Sequence, residues 1–409
     1  MNFILRLLVL IVIAAVIETY FYTRVKKSVV NTFPKISEPG VKRFLKLFLV
    51  YFNIFPLFIA CYSMYLRYTT GNGWVHPIDN EFYTFLLVYP FWIIALLIIQ
   101  TVVYFFIVDL VRLITYPFRK AKLEQTNNYF QRIIFLIFVL FTVYVPGRVI
   151  YDLNAVEVTE YDYVKENLPE VLNNFKVVLI ADVQADIYTK DRNLSNYIEK
   201  VNELKPDLVL IAGDIITSTP EFIKKAADHL GKIESKYGVY ACVGDHDNWA
   251  YRRDYKKSLS EITEALKAVD IPMIDNKNLS VPVDSADIGI TFVTDNYVTR
   301  VSNNIIEKLT EENNSDFKIF LTHQPNQRMV DIAAGKNYNL LFAGHTHGGQ
   351  LTLLLPYYPS ITHIETKYVK GEFRFGDLMM IVNGGLGVSI APVRYNSTAD
   401  VSLITLRKK

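Results

Sequence analysis

The sequence predicts a molecule in two parts: an N-terminal all-α region of four membrane-spanning helices, then a C-terminal layered α/β domain. Three observations carry this. The first is charge: residues 1–150 hold 15 Lys and Arg against 6 Asp and Glu, whereas the other 259 residues hold 28 against 35. The second is a set of long apolar runs confined to the first 150 residues. The third is a change of texture at Asp152, where short apolar runs begin to alternate with charged amphipathic stretches. Domain bounds follow as 1–150 for the membrane region, 151–169 for a linker closed by Pro169, and 170–409 for the α/β domain. A chain of 409 residues that is 51% apolar and 21% charged, with mean hydropathy +0.18, is not a disordered one.

Each span has its own justification. Leu47–Leu66 carries no charge over 20 positions, and Phe82–Val108 none over 27, enough to cross with tilt despite Pro90. Phe3–Phe21 has Arg6 and Glu18 near its ends, and Phe130–Val149 is flanked by Arg132 and Arg148. Such charges snorkel to the interface. Tyr20, Tyr22, Tyr65, Tyr68, Trp74, Phe82 and Tyr83 crowd the ends, as in an interfacial belt. The first segment lacks a basic leader and a small-residue cleavage site, so it reads as a retained anchor.

Orientation follows from the connecting segments. Arg24, Lys26, Lys27, Lys35, Lys42, Arg43 and Lys46 lie between the first two spans, and Arg112, Arg119, Lys120, Lys122 and Arg132 lie about the third connection. Thr69–Glu81 has no Lys or Arg at all. Basic connections stay in the cytoplasm, so the expectation is a multi-pass protein of the cell membrane with its C-terminal domain outside the cytoplasm.

In the second half, Lys176–Ala181 and Leu208–Ala212 are β-branched runs of the kind buried on both faces. Asn193–Leu204 and Pro220–Lys236 read as helices. Val239–Val243, Ile288–Val293, Phe317–Leu321, Leu340–Ala343, Leu378–Val382 and Val401–Leu406 read as further strands. Cys61 and Cys242 fall one in each half, which excludes a disulfide framework. No phosphate-binding loop, nucleophile elbow or dinucleotide fingerprint is present, and an acidic domain argues against nucleic acid as a partner.

Polar chemistry gathers just past these strands, where open α/β sheets place ligands. Asp182 and Gln184 follow the first strand, and Gly213-Asp214 the second. Gly244-Asp245-His246-Asp247 follows the third, His323 a later one, and Gly344-His345-Thr346-His347-Gly348-Gly349-Gln350 the next. Four of seven histidines lie in these motifs. Any one Asp or His after a strand is an ordinary turn residue. Five such clusters together are what a carboxylate and imidazole metal centre needs.

This ordered set resembles the calcineurin-like metallophosphoesterase superfamily over roughly residues 170–406. The stretches GHTHGGQ, Tyr368–Phe373 (YVKGEF) and Asn383–Asn396 (NGGLGVSIAPVRYN) look like its membrane-linked bacterial branch. The resemblance implies a four-layer αββα sandwich and a centre of two divalent cations holding a bridging hydroxide. Residue by residue, it implies Asp182 and His347 at the first metal, Asp214 between the two, and Asp245, His323 and His345 at the second. His246 would act on the leaving group, with Asp247 placed to orient it.

Two positions depart from the family pattern. Gln184 stands for an imidazole ligand and Asp245 for a neutral amide, an oxygen-richer set that favours Mn²⁺, with Fe, Zn or Mg as other occupants. The expected function is a membrane-anchored phosphoesterase acting on a phosphorylated small molecule or lipid. The alternative is a catalytically weak metal-binding sensor or scaffold coupled to the membrane helices. Leu351–Tyr358 reads as a strand and turn, or less simply as a lipid-facing wedge. His229 and His363 read as ordinary surface residues, and Cys242 as core.

Overall fold

The structure, a computed structural model, describes residues 3–409 except 72, 74, 76, 77, 253, 356 and 357. Side chains of residues 3–8, 354, 355 and 358 also lie outside the description. Trp74 of the expected belt, the Arg6 side chain and much of the Leu351–Tyr358 run therefore fall beyond it. The chain divides into two compact units, Met1–Ile150 and Tyr151–Lys409.

The first unit is helical: Phe3–Thr32, Glu38–Thr70, Glu81–Ile114 and Tyr116–Asn154. Among the described residues, the last three are long and apolar enough to cross a membrane. The expected count was four. Phe3–Thr32 is a 30-residue helix, but the side chains of its first six residues lie outside the description, and its C-terminal third carries Arg24, Lys26 and Lys27. Only 6% of the most apolar window of Glu38–Thr70 is buried, and 22% of that in Tyr116–Asn154. Helices this apolar and this uncovered do not form a water-soluble core. Pro90 is accommodated because a π-helical turn, Thr84–Val88, precedes it. The proline has no N–H for the Leu86 carbonyl, and the Tyr51 hydroxyl donates there instead.

The second unit holds two six-stranded sheets. One runs β1-β14-β2-β3-β4-β5, from β1 (Val156–Lys165), β14 (Ala399–Lys408), β2 (Lys176–Ile180), β3 (Leu208–Ile211), β4 (Val239–Cys242) and β5 (Met273–Ile274). The other runs β12-β13-β9-β8-β7-β6, from β12 (Gly371–Phe375), β13 (Leu378–Val382), β9 (Leu340–Ala343), β8 (Phe317–Thr322), β7 (Ala286–Val293) and β6 (Lys277–Val283). A small antiparallel pair, β10 (Thr352–Leu355) and β11 (Tyr358–Ser360), stands apart.

Strand period explains the layers. Val177 and Leu179 face the second sheet, meeting Ile290, Ile319 and Phe342 in a shared core. Val178 and Ile180, one residue out of phase, meet Leu194, Ile198, Ala227 and Ile262 of the helices outside. The second sheet is covered likewise, with Phe320 and Leu341 against Ile306, Met329 and Val330. Strands buried on both faces read as unbroken apolar runs. The result is helix, sheet, sheet, helix.

Two sequence expectations change. The segment taken as a linker contains β1, a ten-residue strand parallel to β14 along its whole length. It lies at a sheet edge, mostly half-buried, so Glu157, Glu160 and Asp162 tolerate the position and conceal the strand. The helix expected over Pro220–Lys236 is a 3₁₀ turn, Pro220–Phe222, followed by Ile223–Leu230, and it stops at Gly231.

Candidate metal centre

The parallel strands β2, β3, β4, β8 and β9 deliver their C-terminal loops to one place. Bringing two loops this close demands glycine. A Cβ on Gly244 would stand 2.1 Å from Asp214 Oδ1 and 2.4 Å from the Asp214 nitrogen. Asp182, Gln184, Asp214, His345 and His347 all hold positive φ, between 47° and 69°. Left-handed backbone at five non-glycine residues in one cluster is strain of the sort that marks functional sites.

Ligand-capable atoms converge in three overlapping triads: Asp245, His323 and His345; Asp182, Asp214 and His323; Asp214, Asp245 and His246. Within each triad the atoms lie within 4.8 Å of one another. Asp214 and His323 link the groups. His347 sits to one side, its Nε2 3.5 Å from Asp182 Oδ1. Gln184 is fully buried and donates its Nε2 to Asp214 Oδ2 at 2.9 Å.

The test of fit for a cation lies in the tautomers. His323 Nδ1 is 2.6 Å from the Ala212 carbonyl, an acceptor, so Nδ1 carries the hydrogen and Nε2 carries a lone pair. That lone pair points at Asp245 Oδ1 (2.9 Å) and Asp214 Oδ2 (3.3 Å). His345 behaves alike: Nε2 faces Glu365 Oε1 at 3.1 Å, leaving Nδ1 3.2 Å from Asp245 Oδ1 and 3.3 Å from His323 Nε2. Asp245 Oδ1 is close to both rings but aligned for a hydrogen bond with neither. Gln184 Oε1 and His347 Nδ1 are likewise buried without a hydrogen-bond partner. Acceptors that face acceptors repel unless a cation or a proton lies between them. The donor set fits divalent metal.

Electrostatics agree. Burial would discharge His323, but Asp214 and Asp245 hold its pKa well above the usual value. Burial opposes the charge on His345 too, yet Asp245 and Glu365 push it up to about 9. The Asp182 carboxyl is raised to about 7, chiefly by burial. Burial also acts on Asp245, but the two imidazoles outweigh it and hold that carboxyl well below its usual range. His347 is lowered by burial and by the Arg394 guanidinium, so it stays neutral and free to act as a ligand.

Asp247 is a correction. Its carboxylate does not reach His246. It accepts the backbone N–H groups of Ile215 (2.8 Å), Asp214 (3.0 Å) and Gly244 (2.8 Å), tying two loops of the centre together. The reason is local geometry: a 3₁₀ turn over His246–Asn248 sends adjacent side chains in different directions. His246 is oriented by the Thr217 carbonyl, 2.6 Å from Nδ1, while its Nε2 lies 3.3 Å from Ser389 Oγ. His229 is also corrected: it is buried, with Nε2 3.1 Å from Asp191 Oδ1. His363 helps to cap the turn at Ser360.

Residues 175–349 match the family model for calcineurin-like phosphoesterase. The chain carries a calcineurin-like metallophosphoesterase domain. Similar proteins include an uncharacterized metallophosphoesterase of Campylobacter jejuni, 25% identical over 71% of this chain and 74% of that one. Another, from Bacillus subtilis, is 29% identical over 62% of this chain and 86% of its own length. A zebrafish (Danio rerio) transmembrane protein with a metallophosphoesterase domain is 25% identical over 71% of this chain and 66% of that one. A 71% match is longer than the C-terminal unit, so the similarity reaches the helical unit as well. With its apolar helices, this marks the chain as a membrane protein.

Several residues about this domain's centre carried no signal in sequence order. Glu365 and Tyr297 meet His345, the tyrosine ring at 5.3 Å, but neither sits in a recognisable motif. Thr217 acts through its backbone, which sequence does not display. Arg394 is buried and reaches six backbone carbonyls, among them that of His347. It belongs to the NGGLGVSIAPVRYN stretch, whose glycines were the available clue.

Proposed function

We propose that the C-terminal domain hydrolyses phosphate esters or diphosphates at a centre of two divalent cations. Asp182, Gln184 and His347 would hold one cation, Asp245, His323 and His345 the other, and Asp214 would lie between. The observation that carries this is the convergence of the His323 and His345 lone pairs on carboxylate oxygens. When bound, such cations polarise the phosphoryl oxygens and acidify the attacking water. The chain supplies the rest. Glu365 and the Ala212 carbonyl hold the two imidazoles in the ligating tautomer. The Thr217 carbonyl fixes His246 through Nδ1–H; as the imidazolium, the ring would hand its Nε2 proton to the departing oxygen and return to the neutral Nδ1–H form.

Manganese is the favoured metal, because Gln184 offers a hard amide oxygen where an imidazole would favour zinc. Substrates are phosphorylated small molecules or lipids rather than nucleic acid. The chain is multi-pass with its catalytic domain outside the cytoplasm, on the basic connecting segments around Lys26 and Lys120. A reporter fused at Lys409 that is active only in the cytoplasm would overturn that topology.

One observation favours a second reading. Gln184 already binds Asp214 through its own amide, and a site closed in this way would belong to a metal-binding sensor coupled to the membrane helices. Activity separates the two. The full chain loaded with Mn²⁺ should cleave an aryl phosphodiester, and His246→Ala should lose about 10²–10⁴-fold on alkyl esters and far less on p-nitrophenyl esters. No turnover with Mn²⁺, Mg²⁺, Zn²⁺ or Fe²⁺ supports the sensor.

A further inference from the structure

Two loops reach imidazoles of the centre, and each carries a bare isoleucine next in sequence to the residue that makes the contact. In the first, Glu365 holds His345 at 3.1 Å, and the residue before it, Ile364, is 88% exposed. Ile361 of the same turn is 78% exposed. In the second, Ser389 Oγ lies 3.3 Å from His246 Nε2, and the next residue, Ile390, is 100% exposed. Isolated exposed apolar residues need no explanation. These three, however, are the most exposed large hydrophobic side chains among the described residues of the C-terminal unit, and each belongs to a loop that contacts an imidazole of the centre.

Ile390 is also held there. Its φ is +61°, a left-handed conformation that β-branched residues avoid. Gln350, the last residue of the GHTHGGQ motif, imposes it. Its Oε1 accepts the Ser389 N–H at 3.0 Å, and its Nε2 donates to the carbonyls of Ala391 (2.7 Å) and Val393 (3.0 Å). The motif that supplies His345 and His347 thus also fixes a strained loop that presents an aliphatic side chain to the outside. Strain kept in place by a buried amide, with nothing packed on the isoleucine, points to a ligand that covers it.

We propose that Ile361, Ile364 and Ile390 form an apolar rim that grips the hydrocarbon part of the substrate, so that the site takes phosphate esters bearing an alkyl or isoprenoid chain. This rests on the phosphoesterase reading above. With phosphorus at the cluster, substituents leave it past His246 and past His345, the two directions that the isoleucines flank. On the His246 side the half-buried Trp249 ring, 4.7 Å from the imidazole, offers a further apolar face. Full burial of a methylene strengthens binding about 4-fold, and burial on one side only, as on an open rim, about 2-fold.

The test is calorimetric and does not need turnover. Methyl-, propyl-, pentyl- and heptylphosphonate are titrated into the Mn²⁺-loaded full chain, held in amphipol free of phospholipid. Heptylphosphonate should bind at least about 30-fold more tightly than methylphosphonate. In the Ile364→Ser/Ile390→Ser double variant the ratio should fall below about 5-fold, whereas Ile305→Ser, on a helix elsewhere on the surface, should keep it. Both residues of the double variant are exposed, so the fold is not at stake. A flat series in the wild type, or an undiminished ratio in the double variant, overturns the rim. If the aryl phosphodiester is cleaved while the series is flat, only the rim fails. If no phosphonate binds and no ester is cleaved, both readings fail. Didodecyl phosphate in vesicles against dibutyl phosphate in solution then tells a chain held in a bilayer from one on a soluble ester. Failure of either to depend on Ile390 also overturns the rim.

Discussion

Stripping the metal and returning it at controlled pH should release protons, and the structure says from which groups. Without metal, His345 is raised to about 9 and His323 well above its usual value, because each lone pair faces carboxylate oxygens. At pH 7.5 the His345 ring is therefore protonated, Asp182, at about 7, is partly so, and His323 is shifted toward its protonated form. A cation must displace close to one proton from His345, and His323 adds to the release in the same direction. For His345 alone the gap of 1.5 units costs about 2 kcal/mol, about 30-fold in apparent affinity at pH 7.5. The logarithm of the metal association constant should rise with pH around pH 7.5, and the share of that rise due to His345 should fade above pH 9. The assay is calorimetric titration of Mn²⁺ into the chelator-treated full chain in buffers of different ionisation enthalpy. An observed heat that does not depend on the buffer at pH 7.5 would refute the reasoning, since the rings would then have no proton to lose. The same protons set the stability of the stripped protein. The folded pKa of His345 lies above its unfolded value of 6.5, so its stabilisation is complete below pH 6.5 and is lost as pH rises through 9. For this group that amounts to about 3 kcal/mol.

Other perturbations probe the frame of the centre. Gly244→Ala should weaken metal binding about 100-fold, measured by equilibrium dialysis, because its Cβ would displace the Asp214 carboxylate from 2.1 Å away. Arg394→Lys should destabilise the domain by about 3–5 kcal/mol and lower its melting temperature by about 10 °C, since three ammonium hydrogens cannot serve six buried carbonyls. An unchanged melting temperature would mean the carbonyls find other donors. Gln184→His should tighten the first metal position and shift the optimum toward Zn²⁺ or Fe²⁺. Identical Mn²⁺ and Zn²⁺ activation curves for the two proteins would place Gln184 off the metal.

Much of this protein is readable without coordinates wherever local chemistry is decisive. Uncharged runs of 20 and 27 residues declare membrane helices, because an unpaired charge in lipid is costly whatever the neighbours. The runs KVVLIA and LVLIA declare strands buried on both faces, and Asp, Gly and His at their ends declare a site, because a metal needs those donors. What only tertiary structure decided is where those groups point and what they meet. β1 was hidden because an edge strand may keep its carboxylates, so alternation alone could not separate it from a linker. The partner of His246 proved to be a backbone carbonyl of Thr217, and Asp247 turned to three backbone N–H groups, since a tight turn separates neighbours that sequence sets side by side. Glu365 and Ser389 reach the centre from loops outside the strand-end clusters, through long-range contacts to His345, His246 and Gln350. Residue type sets which chemistry is available. The packing of strands far apart in the chain sets which atoms can perform it.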